Sequence, residues 1–407
     1  MENVKVLIIV VVAFSVSCVG SLGFEDLKTC DFRAVFNFGD SNSDTGGGSA
    51  AFWIAALPPG ETFFGRPVGR ASDGRLVIDF IGKNHLDFLY MHSNDLRFFF
   101  IFLLFMFAAE HLGLPYLSPY LDSIGTSFRH GANFAIGGST IRPQNESMSL
   151  NGVSPFSLDV QIVQFGNFKV RTRYFHDRGN AGHRRNLPRP RDFSKALYVF
   201  DIGQNDIAAG LRKKNYSDFH ASVPDIVDQL AKAVQNVYEH GARTFWIHNT
   251  GPIGCLPVSL HYRDIPPEQL DNHGCLRAQN AYSMEFNRLL KDRVLKLRTE
   301  LKHAALTYVD IYAAKCELIA NANNQGFVDA ANICCGFHED EIQVYCGQKQ
   351  SINGTEIYAG SCENPSDYIS WDGVHYSEAA NRWIAHRIIN GSFTDPPLPM
   401  KYACHKS

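Results

Sequence analysis

The chain has no excess of charge of either sign. Its 38 lysine and arginine residues are almost balanced by 41 aspartate and glutamate residues, which gives a net charge of −3 at pH 7. A balance this even offers no overall electrostatic attraction to nucleic acid or to an anionic membrane surface. The composition therefore gives no reason to expect a nucleic-acid partner.

The N-terminus lacks an apolar run long enough for an ordinary membrane span. The apolar stretch from Val6 to Val19 follows one basic residue, Lys5, and precedes small residues up to Gly23. A span needs about 20 apolar residues, whereas this shorter arrangement is typical of a signal peptide. We predict a signal peptide over residues 1–23, with an uncleaved anchor as the alternative. The mature protein is then secreted, to the extracellular space or cell wall, with no stable membrane span.

Metal-binding cysteine motifs are missing, although the chain has ten cysteines. Cys334, Cys335 and Cys346 are accompanied by no further Cys-x-x-Cys pair and no histidine cluster, so we predict neither a metal nor a cofactor. Disulfides are the better interpretation in an oxidising compartment. If Cys18 leaves with the signal peptide, nine cysteines remain and at least one is free or intermolecular. We predict two pairs, Cys255 with Cys275 and Cys335 with Cys346.

Four Asn-x-Ser/Thr sequons without proline are present. Behind a signal peptide such sequons are acceptor sites for N-linked glycans, which require a surface position. We therefore predict glycosylation in surface loops at Asn145, Asn215, Asn353 and Asn390.

Apolar runs of strand length alternate with helical patterns after Phe32, and no internal repeat or linker separates a second domain. Strand, helix and strand repeated in this way predict an α/β fold in which helices cover both faces of a parallel sheet. One domain over residues 32–404 is expected. The predicted strands are 34–38, 196–202, 244–248 and 306–311, and the predicted helices are 222–240, 275–303 and 377–389.

No Gly-x-Ser-x-Gly elbow is present, so the ordinary α/β-hydrolase plan is not supported. A polar serine loop instead follows the first predicted strand, with Ser41 as the candidate nucleophile. A serine in such a loop is usually a turn residue or a helix N-cap. Because a serine hydroxyl is a weak nucleophile, the functional interpretation needs a base, a group that orients the base, and oxyanion donors.

Candidates for the base and its orienting group lie near the C-terminus. Asp372 precedes His375 by three residues, just before the last predicted helix. The histidine would take the serine proton through Nε2, while the aspartate would accept from Nδ1–H and fix the tautomer. The alternative is that Asp372 caps the final helix, a role for which Ser377 is better placed.

Oxyanion donors are available in two further motifs. Asn205 follows the predicted strand 196–202, and Gly137-Gly138 lies in a glycine-rich segment. The asparagine amide and a glycine backbone amide could both donate to a tetrahedral oxyanion. The alternatives are an Asx turn at the asparagine and a tight turn that needs positive φ at the glycine.

With these four motifs in this order, the chain resembles a plant-type GDSL esterase/lipase of the SGNH hydrolase superfamily, in its early-nodulin and fucosidase-like branch. The resemblance implies a flavodoxin-like three-layer α/β sandwich and a secreted serine esterase or lipase. It implies Ser41 as nucleophile, Asp372 and His375 as the other triad members, and an oxyanion hole from the Ser41 amide, Gly138 and Asn205. The implied substrate is a small-molecule or glycoside ester. A catalytically idle nodulin-like glycoprotein and a fucosidase-like glycosidase are alternatives, although the paired carboxylates of a glycosidase are not evident.

The segment 82–109 departs from this resemblance. Similar proteins run from a DFI-like end directly into an AEHLGLPYL-like helix, whereas here the Phe-rich run 98–107 intervenes. One interpretation is an extra buried helix. The other is retained intron sequence, because Gly82-Lys83 can be encoded GGT AAG and Phe107-Ala108-Ala109 can be encoded TTT GCA GCN. Splicing between those sites would remove 27 residues in frame and leave one alanine between Ile81 and Glu110.

Overall fold

The computed structural model describes residues 29–82, 113–144, 153–213, 216–260, 265–339 and 342–405. From residue 31 onward, the described residues form one compact unit. The predicted signal peptide, residues 83–109 of the predicted insert, and the sequons at Asn145 and Asn215 lie outside the described residues.

The centre of the unit is a six-stranded sheet with strands β1 Ala34–Gly39, β2 Gly131–Asn133, β3 Ala196–Asp201, β4 Thr244–His248, β5 Ala305–Val309 and β6 Thr394–Asp395. Their order is β6-β5-β4-β3-β1-β2. Strands β1 to β5 are parallel, and the short edge strand β6 is antiparallel to β5. Strands β1, β3, β4 and β5 are largely apolar because both faces are buried, as is usual for a parallel sheet.

Ten α-helices are present in the described residues, so the α/β fold class expected from the sequence is confirmed. They are α1 Gly47–Ala51, α2 Val77–Gly82, α3 Leu158–Arg178, α4 Ala181–Arg185, α5 Gln204–Lys213, α6 Tyr216–Glu239, α7 Pro257–Leu260, α8 Arg277–Glu300, α9 Ile311–Ala320 and α10 Glu378–Ile389. On one face of the sheet, Phe36, Phe38 and Phe200 belong to an aromatic core with residues of α3, α6 and α8. Helix α10 contacts both α2 and α9. No helix in these ranges combines the length and apolarity needed to cross a bilayer.

Both predicted disulfides are present, Cys255–Cys275 and Cys335–Cys346. A third, Cys334–Cys362, was not predicted. Cys316 is a free cysteine in the described part of the chain, as the odd count implied. The disulfides of Cys334 and Cys335 lie in a region of three small two-stranded sheets that precede α10: Asp329–Ile333 with Tyr368–Ser370, Phe337–Glu339 with Ile342–Val344, and Lys349–Ile352 with Thr355–Tyr358.

The described residues on the two sides of positions 83–112 contact each other. Helix α2 ends at Gly82, and the Gly82 carbonyl accepts a 2.7 Å hydrogen bond from the Leu114 backbone N–H. Gly113, which precedes Leu114, has φ of 65°, in the left-handed region that favours glycine. The chain therefore leaves α2 and returns to it at the same point.

Candidate active site

The sequence-predicted site residues gather at the carboxyl edge of the parallel sheet. Ser41 follows β1, Asn205 lies in the first turn of α5 directly after β3, and the loop containing Gly251 follows β4. Carboxyl ends of parallel strands share one edge of a sheet, which is where ligands bind in open α/β folds. His375 reaches this edge from the loop before α10.

Ser41, His375 and Asp372 form a continuous hydrogen-bonded chain. The Ser41 Oγ lies 2.8 Å from His375 Nε2, and His375 Nδ1 lies 2.7 Å from Asp372 Oδ2. The other carboxylate oxygen of Asp372 accepts the backbone N–H groups of Val374 at 3.0 Å and His375 at 2.7 Å. Asp372 therefore does not cap α10, and the side chain of Ser377 caps that helix instead. The arrangement leaves Ser41 Oγ as a proton donor to a histidine whose tautomer is fixed by a carboxylate.

The interaction between Asp372 and His375 favours the charged form of each side chain. Burial by itself raises the pKa of Asp372, but the His375 charge and the hydrogen bonds from His375 and Val374 outweigh it, so the pKa is lowered. Burial by itself lowers the pKa of His375, but Asp372 and, further away, Asp40 outweigh it, so the pKa is raised. His375 is thus a stronger base than an ordinary histidine.

Buried hydrogen bonds hold the serine loop in place. The side-chain amide of Gln161, on α3, bonds both the N–H and the carbonyl of Gly39 at 2.9 Å, which fixes the last residue of β1. Asp44 accepts four backbone N–H groups, from Gly46, Gly47 and Gly48 in its own loop and from Gly137 in the glycine-rich segment. One carboxylate therefore ties the serine loop to the glycine-rich segment.

The hydrogen bonds of Asp44 show which of the adjacent glycines, Gly137 and Gly138, has a free backbone N–H. Since the Gly137 N–H donates to Asp44 at 2.8 Å, it is already used within the protein. The backbone N–H groups of Gly138 and Ser41 donate no hydrogen bond within the described residues, and Gly138 has φ of 78°. The Asn205 side-chain amide donates to the Ser139 carbonyl at 2.9 Å and has a second N–H to give. The arrangement therefore leaves three donors without an internal acceptor near Ser41.

Asp206, next to Asn205, holds the residues that follow the glycine-rich segment. Its two carboxylate oxygens accept the backbone N–H groups of Ile141 at 2.8 Å and Arg142 at 3.1 Å. Burial raises the pKa of this carboxyl to about 7 in spite of those bonds. Asp206 thus couples the Asn205 segment to the loop that carries Gly138.

Sequence reasoning missed Lys315, which lines the cavity beside Ser41. The side chain is half-buried and lies over the Tyr376 ring with Nζ 4.2 Å from its centroid, and among the described residues it has no carboxylate within salt-bridge distance. Burial lowers the pKa of Lys315 to about 8, against the opposing effect of Asp201 and Asp40. No local motif marks this lysine, because only the packing of α9 brings it to the site.

Asp40 was also missed, although it directly precedes Ser41. One carboxylate oxygen accepts the backbone N–H of Asn42 at 3.0 Å and its side-chain amide at 2.8 Å, while the other is buried without a partner. Burial, and then repulsion from Asp201, raise the pKa of Asp40 to about 7. A buried set of titratable groups thus lies close to His375.

The cavity next to Ser41 is small, with a volume of about 30 Å³. Its lining combines polar amides with a few apolar side chains: Ser41, Asn42, Gln204, Asn205, Gly251, Pro252, Leu256, Lys315, Val374 and Tyr376. No group of three or more His, Cys, Asp or Glu side chains that could hold a metal occurs in the described part of the chain. Of the predicted glycan sites, Asn353 and Asn390 lie in the described residues and both are exposed.

Comparison with known proteins identifies the family. The GDSL-like lipase/acylhydrolase profile matches residues 35–388. The chain is 52% identical over 380 residues to a GDSL esterase/lipase of Arabidopsis thaliana, which covers 93% of this chain and 91% of the relative. It is 45% identical over 381 residues to GDSL esterase/lipase ENOD8 of Medicago truncatula, covering 93% and 91%. It is also 46% identical over 367 residues to a protein of Arabidopsis thaliana named alpha-L-fucosidase 3, covering 89% and 91%.

These matches span nearly the whole of both chains and include the segments that carry all four motifs. They confirm the resemblance drawn from the motifs, and with it the three-layer fold. The chain belongs to the GDSL-like lipase/acylhydrolase family and is a plant-type hydrolase that acts on ester bonds.

Proposed function

We propose that the protein is a secreted serine esterase in which Ser41 is the nucleophile, His375 the general base and Asp372 the group that orients the base. The observation that carries this proposal is the hydrogen-bonded chain from Ser41 Oγ to His375 Nε2 at 2.8 Å and from His375 Nδ1 to Asp372 at 2.7 Å. The raised pKa of His375 supports the same assignment, because a stronger base takes the serine proton more readily.

The reaction proceeds in two halves. Ser41 Oγ attacks the ester carbonyl carbon while its proton passes to His375 Nε2, and the C–O bond to the alcohol then breaks as His375 returns that proton to the alcohol. Water, deprotonated by His375, then attacks the acyl carbon, and the bond from that carbon to Ser41 Oγ breaks as His375 returns the proton to the serine and the acid leaves. The N–H groups of Ser41 and Gly138 and the free N–H of Asn205 donate to the oxyanion in both halves.

The lining of the cavity favours a short acyl group. A volume of about 30 Å³ leaves little room beside Ser41, so the space suits an acetyl group better than a long acyl chain. Pro252, Leu256 and Val374 supply apolar contact for the methyl group. The amides of Asn42 and Gln204 suit a polyhydroxylated alcohol, such as a sugar, on the other side of the ester.

Secretion is supported by the disulfides and the sequons. Eight cysteines of the described residues are disulfide-bonded, and such bonds persist in oxidising compartments. The exposed sequons at Asn353 and Asn390 are open to glycan attachment, which takes place on the secretory route.

The alternatives are less well supported. A glycosidase needs two carboxyl groups that flank a glycosidic bond, whereas the residues that line the Ser41 cavity include no Asp or Glu. An idle glycoprotein would have no need of an aligned serine, histidine and aspartate.

The test is hydrolysis of p-nitrophenyl esters from acetate to palmitate by the secreted, deglycosylated protein, with Ser41→Ala as the control. We expect the highest kcat/KM for acetate, and no turnover in the variant at an unchanged melting temperature. A fluorophosphonate should label Ser41 and leave the variant unlabelled. Labelling of another serine would contradict the assignment, and p-nitrophenyl fucoside turnover that survives Ser41→Ala would favour a glycosidase.

A further inference from the structure

The basic residues are unevenly distributed, in spite of the nearly neutral net charge. Residues 169–191 contain eight Lys and Arg residues and a single acidic residue, Asp177. The segment therefore has a charge of +7, and the rest of the chain has a charge of −10. This uneven distribution creates a positive electrostatic potential around the segment, which the net charge of the whole chain does not reveal.

Folding gathers much of this charge into one cleft of about 1000 Å³. The cleft lies between the C-terminal end of α3, helix α4 and the segment that leads into β3, and Arg129 contributes from beside β2. Five arginines and one histidine line it, which we call the arginine cleft: Arg129, His176, Arg184, Arg185, Arg189 and Arg191.

Most of the positive charge in the arginine cleft is not neutralised by the protein. Arg129 forms a 2.8 Å ion pair with Asp192. The other four arginines are exposed and form no ion pair within the described part of the chain. The Nε2 atom of His176 is buried and has no hydrogen-bond partner. The cleft thus offers several donors for which the protein provides no acceptor.

The arginine cleft is separate from the cavity beside Ser41. Helix α3 contacts the end of β1 through Gln161, near the serine loop, and reaches the cleft at His176. These two residues are 15 positions apart, so they are separated by about 22 Å along the helix axis. A ligand in the cleft would leave the catalytic edge of the sheet open.

We propose that the arginine cleft binds a linear polycarboxylate, an acidic polysaccharide in the oxidising compartment that the disulfides indicate. Arginine presents a rigid fork of N–H donors that matches a carboxylate in a bidentate geometry, and a row of such forks matches a polymer with a carboxylate on each sugar. The proposal goes beyond the proposed esterase activity and gives the protein an anchoring site on an acidic matrix.

An anionic membrane fits the arginine cleft less well. Peripheral membrane sites combine basic residues with large apolar side chains that enter the lipid boundary. The only non-polar residues in the lining are small ones, Gly179, Ala181 and Pro190. A concave site also suits a narrow chain better than the plane of a bilayer.

The test compares two variants that each lose four positive charges. The first carries Arg184→Gln, Arg185→Gln, Arg189→Gln and Arg191→Gln. The control carries Arg212→Gln, Lys232→Gln, Lys296→Gln and Lys302→Gln, which are exposed residues elsewhere on the described surface. Binding of the full-length protein to polygalacturonate, to a neutral glucan and to phosphatidylserine vesicles is measured at several salt concentrations, together with melting temperature and p-nitrophenyl acetate hydrolysis.

We expect salt-sensitive binding of wild type to polygalacturonate, at least tenfold weaker binding by the cleft variant, and less than twofold change in the control. Ester hydrolysis should stay the same in both. Equal losses of polygalacturonate binding in the two variants would show that net charge alone causes the effect, which would overturn the proposal. Unchanged binding by the cleft variant, equally strong binding of wild type to the neutral glucan, or binding to the vesicles alone would also overturn it.

Discussion

The side chain of Lys315 packs directly against Gly251. A Cβ atom at position 251 would lie 2.8 Å from Lys315 Cδ and 3.3 Å from Nζ. A side chain at this position would meet the lysine and would cause no backbone strain, because Gly251 has no positive φ. The absence of a side chain at position 251 therefore leaves room for the Lys315 ammonium group beside Ser41.

Lys315→Met should shift the pH dependence of ester hydrolysis. The groups that act on the lysine charge are Asp40, Asp201 and His375, and the lysine opposes the raised pKa of His375. Without it the pKa of His375 rises further, so less neutral base is present in mildly acidic solution. The acid limb of the kcat/KM profile should move to higher pH.

Gly251→Ala should also move the acid limb of the kcat/KM profile to higher pH, but by less than Lys315→Met. The added methyl group displaces the lysine ammonium group without removing it. Profiles of wild type and both variants between pH 5 and 9 check this. An acid limb that stays in place in Lys315→Met, or moves to lower pH, would show that the lysine does not act on the base.

Asp372→Asn should lower kcat by up to about 10⁴-fold, since the amide cannot hold the histidine tautomer that accepts the serine proton. The residual activity should have its acid limb at lower pH, because the carboxylate that raises the pKa of His375 is gone. The change should be in kcat, with little effect on melting temperature. Near-normal turnover in this variant would rule out the proposed pairing of Asp372 with His375.

Asn205→Ala should lower kcat by about 10²–10³-fold with a small change in KM, as expected when one oxyanion donor is lost. The neighbouring substitution Asp206→Asn is the matched control, because it disturbs the Ile141 and Arg142 contacts and leaves the Asn205 amide in place. That control should mainly lower the melting temperature. If the two variants behaved alike, Asn205 would have only a structural role.

Removal of residues 83–109, with alanine at position 82, should raise the yield of soluble protein and preserve esterase activity. In the shortened chain Leu114 becomes the fifth residue after position 82. Its N–H bond to that carbonyl is then the outer bond of a Schellman motif, and Gly113 occupies the left-handed position that the motif requires. A matched deletion of residues 86–112 would keep the same length but lose this register. If the 83–109 deletion lowered the melting temperature below that of the full chain, the segment would be a genuine structural element.

The sequence predicted the triad because its members lie in short local motifs at the ends of elements with clear periodicity. It predicted the helix start at Ser222 wrongly, since α6 begins at Tyr216 and contains Pro224. The Ser222 hydroxyl donates to the Phe219 carbonyl within the helix and does not cap it. Local capping patterns are ambiguous when the surrounding turn can continue the helix through tertiary packing.

Other features depend on distances that no local pattern records. Cys334 and Cys335 are neighbours in sequence, and only the fold determines that Cys334 pairs with Cys362 and Cys335 with Cys346. Lys315 reaches the site for the same kind of reason, through the packing of α9 beside the loop after β4. Sequence reasoning therefore predicted Ser41, His375 and Asp372, which the fold brings together, and missed Lys315, whose charge acts on His375.

Because Gly82 and Leu114 are joined by a hydrogen bond, the fold around them depends little on the number of residues between them. Because the two ends are already joined, each doubling of the length between them adds only about 0.6 kcal/mol of closure entropy. We therefore expect that residues can be added or removed at this point while the sheet and the Ser41 loop keep their geometry. A reporter peptide inserted between Gly82 and Leu114 should therefore leave the register of every strand in the sheet unchanged.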